Sequence, residues 1–163
     1  MLIGIISDSH DSLKAIEAAV RLLNREGVEH VLHAGDIIAP FAAARLAKLE
    51  AGLSCVYGNN DGERALLARR ISEMGASISE FAELELDKRR VALYHGTIAG
   101  ITRALVESGR YDVVVTGHTH RAEVRKSRGC VAINPGELCG YLTGRRTLCL
   151  LDLETMKAEM VEV

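Results

Sequence analysis

The chain has 163 residues, of which 48% are hydrophobic and 26% are charged, and its formal net charge is −2. This balance is typical of a globular protein with a full hydrophobic core and excludes an intrinsically disordered chain. No apolar run reaches the roughly 20 residues of a membrane span. The small net charge gives no general attraction to nucleic acid or to an anionic membrane. We expect one domain over residues 1–163, with no membrane partner and no strong nucleic-acid partner.

The four cysteines, Cys55, Cys130, Cys139 and Cys149, have no C-x-x-C spacing. Three of them stand inside apolar runs, a pattern typical of buried free thiols in a reducing compartment. We therefore expect a cytoplasmic protein without a disulfide framework.

The first half of the chain alternates between predicted strands and predicted helices. Leu2–Ile6 is a continuous apolar run, which is typical of a strand buried on both faces. In chain order the pattern predicts a strand over 2–6, a helix over 13–25, a strand over 30–34, a helix over 40–50, a strand over 53–57 and a helix over 63–74. This alternation predicts βαβ units and a parallel sheet.

The second half is richer in strands. Apolar and acidic residues alternate over 81–87, which indicates a half-exposed strand. The remaining predictions are a strand over 91–94, a helix over 98–108, and strands over 112–116, 122–126, 130–133, 147–153 and 158–163. We predict an α/β fold in which a second sheet packs on the first.

Polar side chains that bind metals follow these strands. They are Asp8, His10, Asp36, Asn59, Asn60, Asp61, His95, His118 and His120. In a mostly parallel sheet such strand ends lie along one edge, where ligands bind in open α/β folds. Each residue alone has a simpler explanation as a helix cap, a turn residue or a packed histidine. Their repeated position at strand ends favours a shared site.

The mixture of carboxylate, amide and imidazole groups indicates the kind of metal. It suits two first-row divalent ions better than Ca²⁺, which prefers oxygen ligands only. His118 and His120 are two residues apart, so both rings can face one site from an extended backbone. The absence of thiolate candidates argues against a structural zinc site.

Five motifs in order resemble those of the calcineurin-like metallophosphoesterases. They are Asp8-Ser9-His10, Gly35-Asp36, Gly58-Asn59, His95-Gly96 and Gly117-His118-Thr119-His120. The resemblance covers nearly the whole chain and is strongest to the short single-domain phosphodiesterases of bacteria and archaea. It implies two packed mixed β-sheets flanked by helices, in four α/β/β/α layers. It also implies a metal-dependent phosphodiesterase acting on a small phosphodiester.

The resemblance further implies the metal ligands. Asp8, His10 and His120 would hold one ion, Asn59, His95 and His118 the other, and Asp36 would bridge both. Mn²⁺ or Ni²⁺ is expected, with Fe or Zn as alternatives. A hydroxide shared by the two ions would attack phosphorus in line with the leaving oxygen.

One position departs from the family pattern. Many members have a histidine after the motif asparagine to protonate the leaving group, whereas this chain has Asn60. An amide is not a general acid near neutral pH. Asn60 is therefore the candidate catalytic residue only as a hydrogen-bond donor to a phosphoryl oxygen. Asp61 has two open explanations, support of a metal-binding histidine or a turn. Glu137, where relatives often have serine, has none.

Two other functions remain as alternatives. One is a non-catalytic scaffold on the same fold, as in a retromer subunit that resembles this family. The other is a phosphatase or nuclease that acts on small nucleotides. The complete ligand set favours the enzyme, since buried polar groups that bind nothing would cost stability. Self-association is left open by the sequence.

Overall fold

The computed structural model describes all residues from Met1 to Val163. The strands are β1 (Leu2–Ile6), β2 (His30–His33), β3 (Gly52–Val56), β4 (Ser77–Ser79), β5 (Phe81–Leu86), β6 (Arg89–Tyr94), β7 (Val113–Val115), β8 (Ala122–Ser127), β9 (Cys130–Pro135), β10 (Thr147–Asp152) and β11 (Lys157–Glu162). The helices are α1 (Leu13–Arg25), α2 (Pro40–Ala43), α3 (Arg64–Ser72) and α4 (Ala99–Glu107), with a 3-10 helix over Ala44–Lys48.

The strands form two mixed sheets. The first has the order β11-β10-β1-β2-β3-β4, in which β1 to β4 are parallel. Strand β10 pairs antiparallel with β1, and β11 pairs antiparallel with β10. The second has the order β5-β6-β7-β9-β8, with β6, β7 and β9 parallel. The predicted pair of packed mixed sheets is confirmed.

Two large hydrophobic cores hold the layers together. Fourteen buried residues, including Ile3, Ile5 and Val115, fill the space between the sheets. Eighteen others, including Ile6, Ile16 and Leu23, pack the first sheet against α1, α2 and α3. Alternate residues of β1 thus serve different cores, which is why its sequence is apolar throughout. Helix α4 covers the second sheet with no fully buried residue of its own, which completes the α/β/β/α order.

Most predicted elements are present, with two differences. The segment predicted as a helix over 40–50 is a short α2 followed by a 3-10 helix. Asn24 of α1 forms hydrogen bonds with the backbone at the end of this segment. The Asn24 side chain donates to the carbonyl oxygen of Lys48 and accepts from the backbone N–H of Glu50. The sequence pattern also did not predict β4, which contains one apolar residue and lies at the edge of the first sheet.

None of the helices combines the length and the apolar character that crossing a membrane requires. The longest, α1, has 13 residues.

The two sheets come into contact where β1 and β7 end. A Cβ atom built on Gly117 would lie 1.9 Å from Ser7 Oγ and 2.6 Å from Asp8 Oδ2. The next residue donates its backbone N–H to Asp8 Oδ2 at 3.1 Å. Glycine at position 117 therefore allows the second sheet to deliver His118 beside Asp8.

We predict that Gly117→Ala lowers the free energy of unfolding by about 1–3 kcal/mol, the usual cost of an added methyl group in a filled space. Gly100→Ala is the matched control because it lies in α4 with no atom within 4 Å of its added Cβ. That change should stabilise the protein by about 0.5–1 kcal/mol. Equilibrium unfolding in urea measures both. Equal stability of Gly117→Ala and wild type would contradict the close approach.

Candidate metal centre

The loops after five parallel strands meet at one edge of the two sheets. Backbone hydrogen bonds join these loops: Asp8 N–H donates to Gly35 O at 3.0 Å, and His10 N–H donates to Asp36 O at 3.0 Å. Gly117 N–H donates to His95 O at 2.8 Å across the second sheet. These bonds bring together the residues that the sequence predicted as metal ligands.

Asp8, His10 and His120 form a first cluster. Asp8 Oδ1 lies 3.9 Å from His10 Nε2 and 3.4 Å from His120 Nε2. The two imidazole rings stack with 5.2 Å between their centroids. Asp8 Oδ1 and His10 Nε2 are buried atoms without a hydrogen-bond partner. This cluster therefore has the spacing of a metal site and contains polar atoms that the protein itself leaves unsatisfied.

Asn59, His95 and His118 form a second cluster. His95 Nε2 lies 3.0 Å from Asn59 Oδ1. The His118 ring meets the His95 ring edge-on, with 5.2 Å between centroids. His95 Nδ1 lies 2.7 Å from the carbonyl oxygen of Ala34. Because a carbonyl only accepts, Nδ1 carries a proton, so Nε2, which faces Asn59, is the nitrogen that can bind an ion.

Asp36 lies between the clusters. Its Oδ2 atom is 3.5 Å from His10 Nε2 and 3.5 Å from His95 Nε2. It is only 1% exposed. One carboxylate oxygen is thus common to both groups of ligands.

The atoms that converge here are mostly acceptors. His95 Nε2, Asn59 Oδ1 and Asp36 Oδ2 face one another, and so do Asp8 Oδ1 and His120 Nε2. Lone pairs in such an arrangement repel unless a proton or a metal cation lies between them. The donor set of imidazole, carboxylate and amide groups therefore fits two divalent ions.

Five of these residues have left-handed backbone conformations. The φ angles are 52° at Asp8, 38° at His10, 57° at Asp36, 67° at His118 and 60° at His120. Each costs about 1–3 kcal/mol for a residue with a side chain, and such conformations cluster at functional sites. These backbone conformations direct each side chain away from its strand and toward the space between the two clusters.

The protonation of the carboxylates and of His95 reflects their burial and their neighbours. Burial raises the pKa of Asp8 above its ordinary value. For Asp36 burial acts in the same direction, but the contact with His95 and the hydrogen bonds from Asn60 outweigh it and lower the pKa. Burial lowers the pKa of His95, yet contact with Asp36 leaves it raised overall. Asp36 is therefore ionised and negative charge concentrates between the two clusters.

Asn60 contacts the shared carboxylate. Its side-chain Nδ2 donates to Asp36 Oδ2 at 2.7 Å, and its backbone N–H donates to Asp36 Oδ1 at 2.8 Å. The amide thus orients Asp36 in this structure, and contact of Asn60 with substrate stays a prediction.

Asp61 has a role that the sequence left open. Its carboxylate accepts backbone N–H groups from Asp36 at 3.1 Å, Gly58 at 2.7 Å and Ile38 at 2.7 Å. It contacts no histidine, so it supports the site by fixing the backbones of two loops. The one signal in the sequence is the position of an acidic residue directly after Gly58-Asn59-Asn60.

Two further polar residues support the site and were not predicted as such. Asn134 donates to Gly117 O at 2.7 Å and to Thr119 Oγ1 at 3.0 Å, which holds the loop that carries His118 and His120. Glu137 accepts from His120 Nδ1 at 2.8 Å and is completely buried.

His33 lies outside both clusters. Its Nδ1 accepts the backbone N–H of Gly35, and its Nε2 lies 3.2 Å from Ser9 Oγ. Burial lowers its pKa to about 3, so the ring is neutral. It therefore ties the loop after β1 to the loop after β2 without adding charge.

Comparisons with known proteins agree with this geometry. A phosphodiesterase from Methanocaldococcus jannaschii is 40% identical over 156 residues, which cover 94% of each chain. A solved structure described as a novel archaeal phosphodiesterase superposes with a TM-score of 0.97 at 38% identity and covers 100% of both chains. Vps29 from Chaetomium thermophilum has a TM-score of 0.74 at 17% identity over 99% of this chain and 96% of its own, which shows a shared fold alone.

The family model for the calcineurin-like phosphoesterase superfamily domain matches residues 1–156. Together with the 40% identity to a phosphodiesterase, this match establishes that the chain belongs to the calcineurin-like phosphoesterase superfamily.

Proposed function

We propose that the protein is a phosphodiesterase that uses two divalent metal ions to hydrolyse a small phosphodiester. One observation carries the proposal. Asp36 Oδ2 lies 3.5 Å from an imidazole nitrogen of each cluster, so two ions held by those clusters can share one carboxylate. A pair of ions about 3.5–4 Å apart is the arrangement that clamps the attacking and leaving oxygens of a phosphoryl centre.

Each cluster would hold one ion. Asp8, His10 and His120 would bind the first and Asn59, His95 and His118 the second, with Asp36 as the bridge. When bound, the ions supply Lewis acidity toward phosphoryl oxygens and lower the pKa of a coordinated water. The chain's own part is to orient these ligands: Asn60 holds Asp36, and Ala34 O sets the proton on His95.

The ligand chemistry narrows the metal. Imidazole nitrogens and carboxylate oxygens in one site suit Mn²⁺ and Ni²⁺, with Fe or Zn as alternatives. The thiol of Cys139 is near His120, but it donates to Glu137 Oε2 at 3.2 Å, on the Nδ1 side of that ring.

The substrate would be a small diester and the compartment would be the cytoplasm. A small diester is supported by the relatives named phosphodiesterases and by a net charge of −2, which gives no general attraction to a nucleic-acid polymer. A cytoplasmic location is supported by four cysteines that are all free and buried.

We expect purified protein loaded with Mn²⁺ or Ni²⁺ to hydrolyse bis(p-nitrophenyl) phosphate and to lose this activity in EDTA. Release of p-nitrophenol measures the rate, and re-addition of each metal to the chelated protein identifies the one that restores it. Activity that survives complete chelation would contradict the two-metal proposal. A fully loaded protein without activity toward any diester would favour the scaffold alternative.

Asp36→Asn should reduce turnover by about 100-fold or more, because the neutral amide weakens both ion sites while keeping the side-chain shape. Metal content per chain, measured by mass spectrometry after gel filtration, should fall together with activity. Asp87→Asn is the matched control, since Asp87 pairs with the N-terminus at the surface. Near-normal metal content in Asp36→Asn would remove Asp36 as the bridge.

Asn60→His tests the missing general acid. A histidine at this position should speed hydrolysis of diesters with alkyl leaving groups more than that of p-nitrophenyl esters, by up to about 10²-fold in the ratio of the rates. Both substrates depend on the same Asp36, so any disturbance of that carboxylate cancels in the ratio. Equal effects on the two leaving groups would contradict the argument.

A further inference from the structure

The carboxylate of Glu137 has every oxygen lone pair engaged although it is completely buried. Oε2 accepts from His120 Nδ1 at 2.8 Å, from the backbone N–H groups of Tyr141 and Leu142 at 3.1 Å each, and from Cys139 Sγ at 3.2 Å. Oε1 accepts from Leu142 N–H at 2.9 Å and from both the backbone and the hydroxyl of Thr143. His120 is its single basic neighbour within 4.0 Å.

These contacts determine the state of the carboxylate. Every other polar contact of the two oxygens is with an N–H, O–H or S–H group that donates to them. The carboxylate therefore acts only as an acceptor in this arrangement. Consequently His120 Nδ1 must carry a proton.

With the proton on Nδ1, the nitrogen of His120 that can bind an ion is Nε2, on the side of the ring away from Glu137. That nitrogen lies 3.4 Å from Asp8 Oδ1, inside the first cluster. A carboxylate that holds the far nitrogen of a metal-binding histidine sets both its tautomer and its orientation. Glu137 thus stands behind His120 on the side opposite the ion site.

The same carboxylate holds a loop. Residues 138–143 curl around it so that three consecutive backbone N–H groups, from Tyr141 to Thr143, point at its oxygens. At the start of this loop, Leu138 and Cys139 donate to the carbonyl oxygens of Ser7 and Asp8 at 2.9 and 3.1 Å. The loop is therefore anchored to both ends of the first cluster.

A third metal site is the competing explanation, since His120, Glu137 and Cys139 also offer ligand atoms within 4.8 Å of one another. Two observations oppose it. The Glu137 oxygens are already filled by N–H, O–H and S–H donors. The thiol of Cys139 donates to Glu137 at 3.2 Å and stays protonated. No lone pair is left for an ion on that side of His120.

We propose that Glu137 is a positioning residue for the metal centre: it fixes His120 as the Nδ1–H tautomer and ties that ligand to loop 138–143. The inference rests on the proposed two-metal function, in which His120 Nε2 binds the first ion. It gives a physical reason for a glutamate at this position, because only an ionised acceptor satisfies a ring N–H and several backbone N–H groups at once.

The test compares Glu137→Gln with Thr143→Val in the full-length protein. Glu137→Gln keeps the size of the side chain but places an amide NH₂ among donors. Thr143→Val removes one hydroxyl bond to the same carboxylate and leaves His120 untouched. The first readout is the ¹⁵N chemical shifts of the His120 ring in metal-free protein, which report the tautomer. The second is Mn²⁺ titration followed by electron paramagnetic resonance.

We expect Nδ1–H for His120 in wild type and in Thr143→Val, and a mixture of tautomers in Glu137→Gln. Affinity for one Mn²⁺ should fall about 10–100-fold in Glu137→Gln, as is usual when the partner of a metal-binding histidine is removed. Affinity for the other Mn²⁺, and both affinities in Thr143→Val, should be unchanged.

Three outcomes would overturn the inference. They are an Nε2–H tautomer in wild type, wild-type binding of both ions by a folded Glu137→Gln, or a third Mn²⁺ that Glu137→Gln loses. If Glu137→Gln fails to fold, the wild-type tautomer still decides. Wild-type protein that binds fewer than two ions would fail the proposed function instead, while the metal-free tautomer measurement would continue to test Glu137 separately.

Discussion

The site is organised by an electrostatic constraint: lone pairs of buried acceptors face one another where the two sheets meet. Asp8 Oδ1 and His10 Nε2 have no hydrogen-bond partner in the protein, and His95 Nε2 faces the oxygens of Asn59 and Asp36. A buried acceptor without a partner costs about 1–3 kcal/mol. Evolution of a stable domain would remove such groups unless a cation satisfied them. The constraint therefore explains both the residues chosen and their strained backbones.

Holding that arrangement requires a rigid support. Asp61 binds the backbones of two loops, Asn134 binds a third, and Glu137 binds His120. Each uses an acceptor or donor on a short side chain to satisfy groups far away in sequence. These side chains contact mostly backbone atoms, so they fix the backbone positions of the metal-binding residues. The left-handed φ angles then direct the side chains of those residues inward.

The ligands could be predicted from the sequence because strand periodicity locates the strand ends. Asp8, Asp36 and His95 each follow an apolar run, and parallel strands bring such ends together. Asp61 and Glu137 could not be assigned in this way. Their partners are backbone N–H groups, such as that of Ile38 or Leu142, which every residue possesses and which no sequence pattern marks. Strand β4 escaped prediction because Ser77–Ser79 offers a single apolar side chain.

The two hydrophobic cores supply the stability that allows a strained site at one edge of the sheets. Fourteen residues between the sheets and eighteen beneath the helices are buried, and each large side chain among them contributes about 1.5–3 kcal/mol. Five left-handed residues at about 1–3 kcal/mol each can therefore be tolerated at one edge. The fold thus positions all of these ligand atoms at one edge of the sheets. Ion binding then adds stability by mass action, because it relieves the repulsion that the cores had enforced.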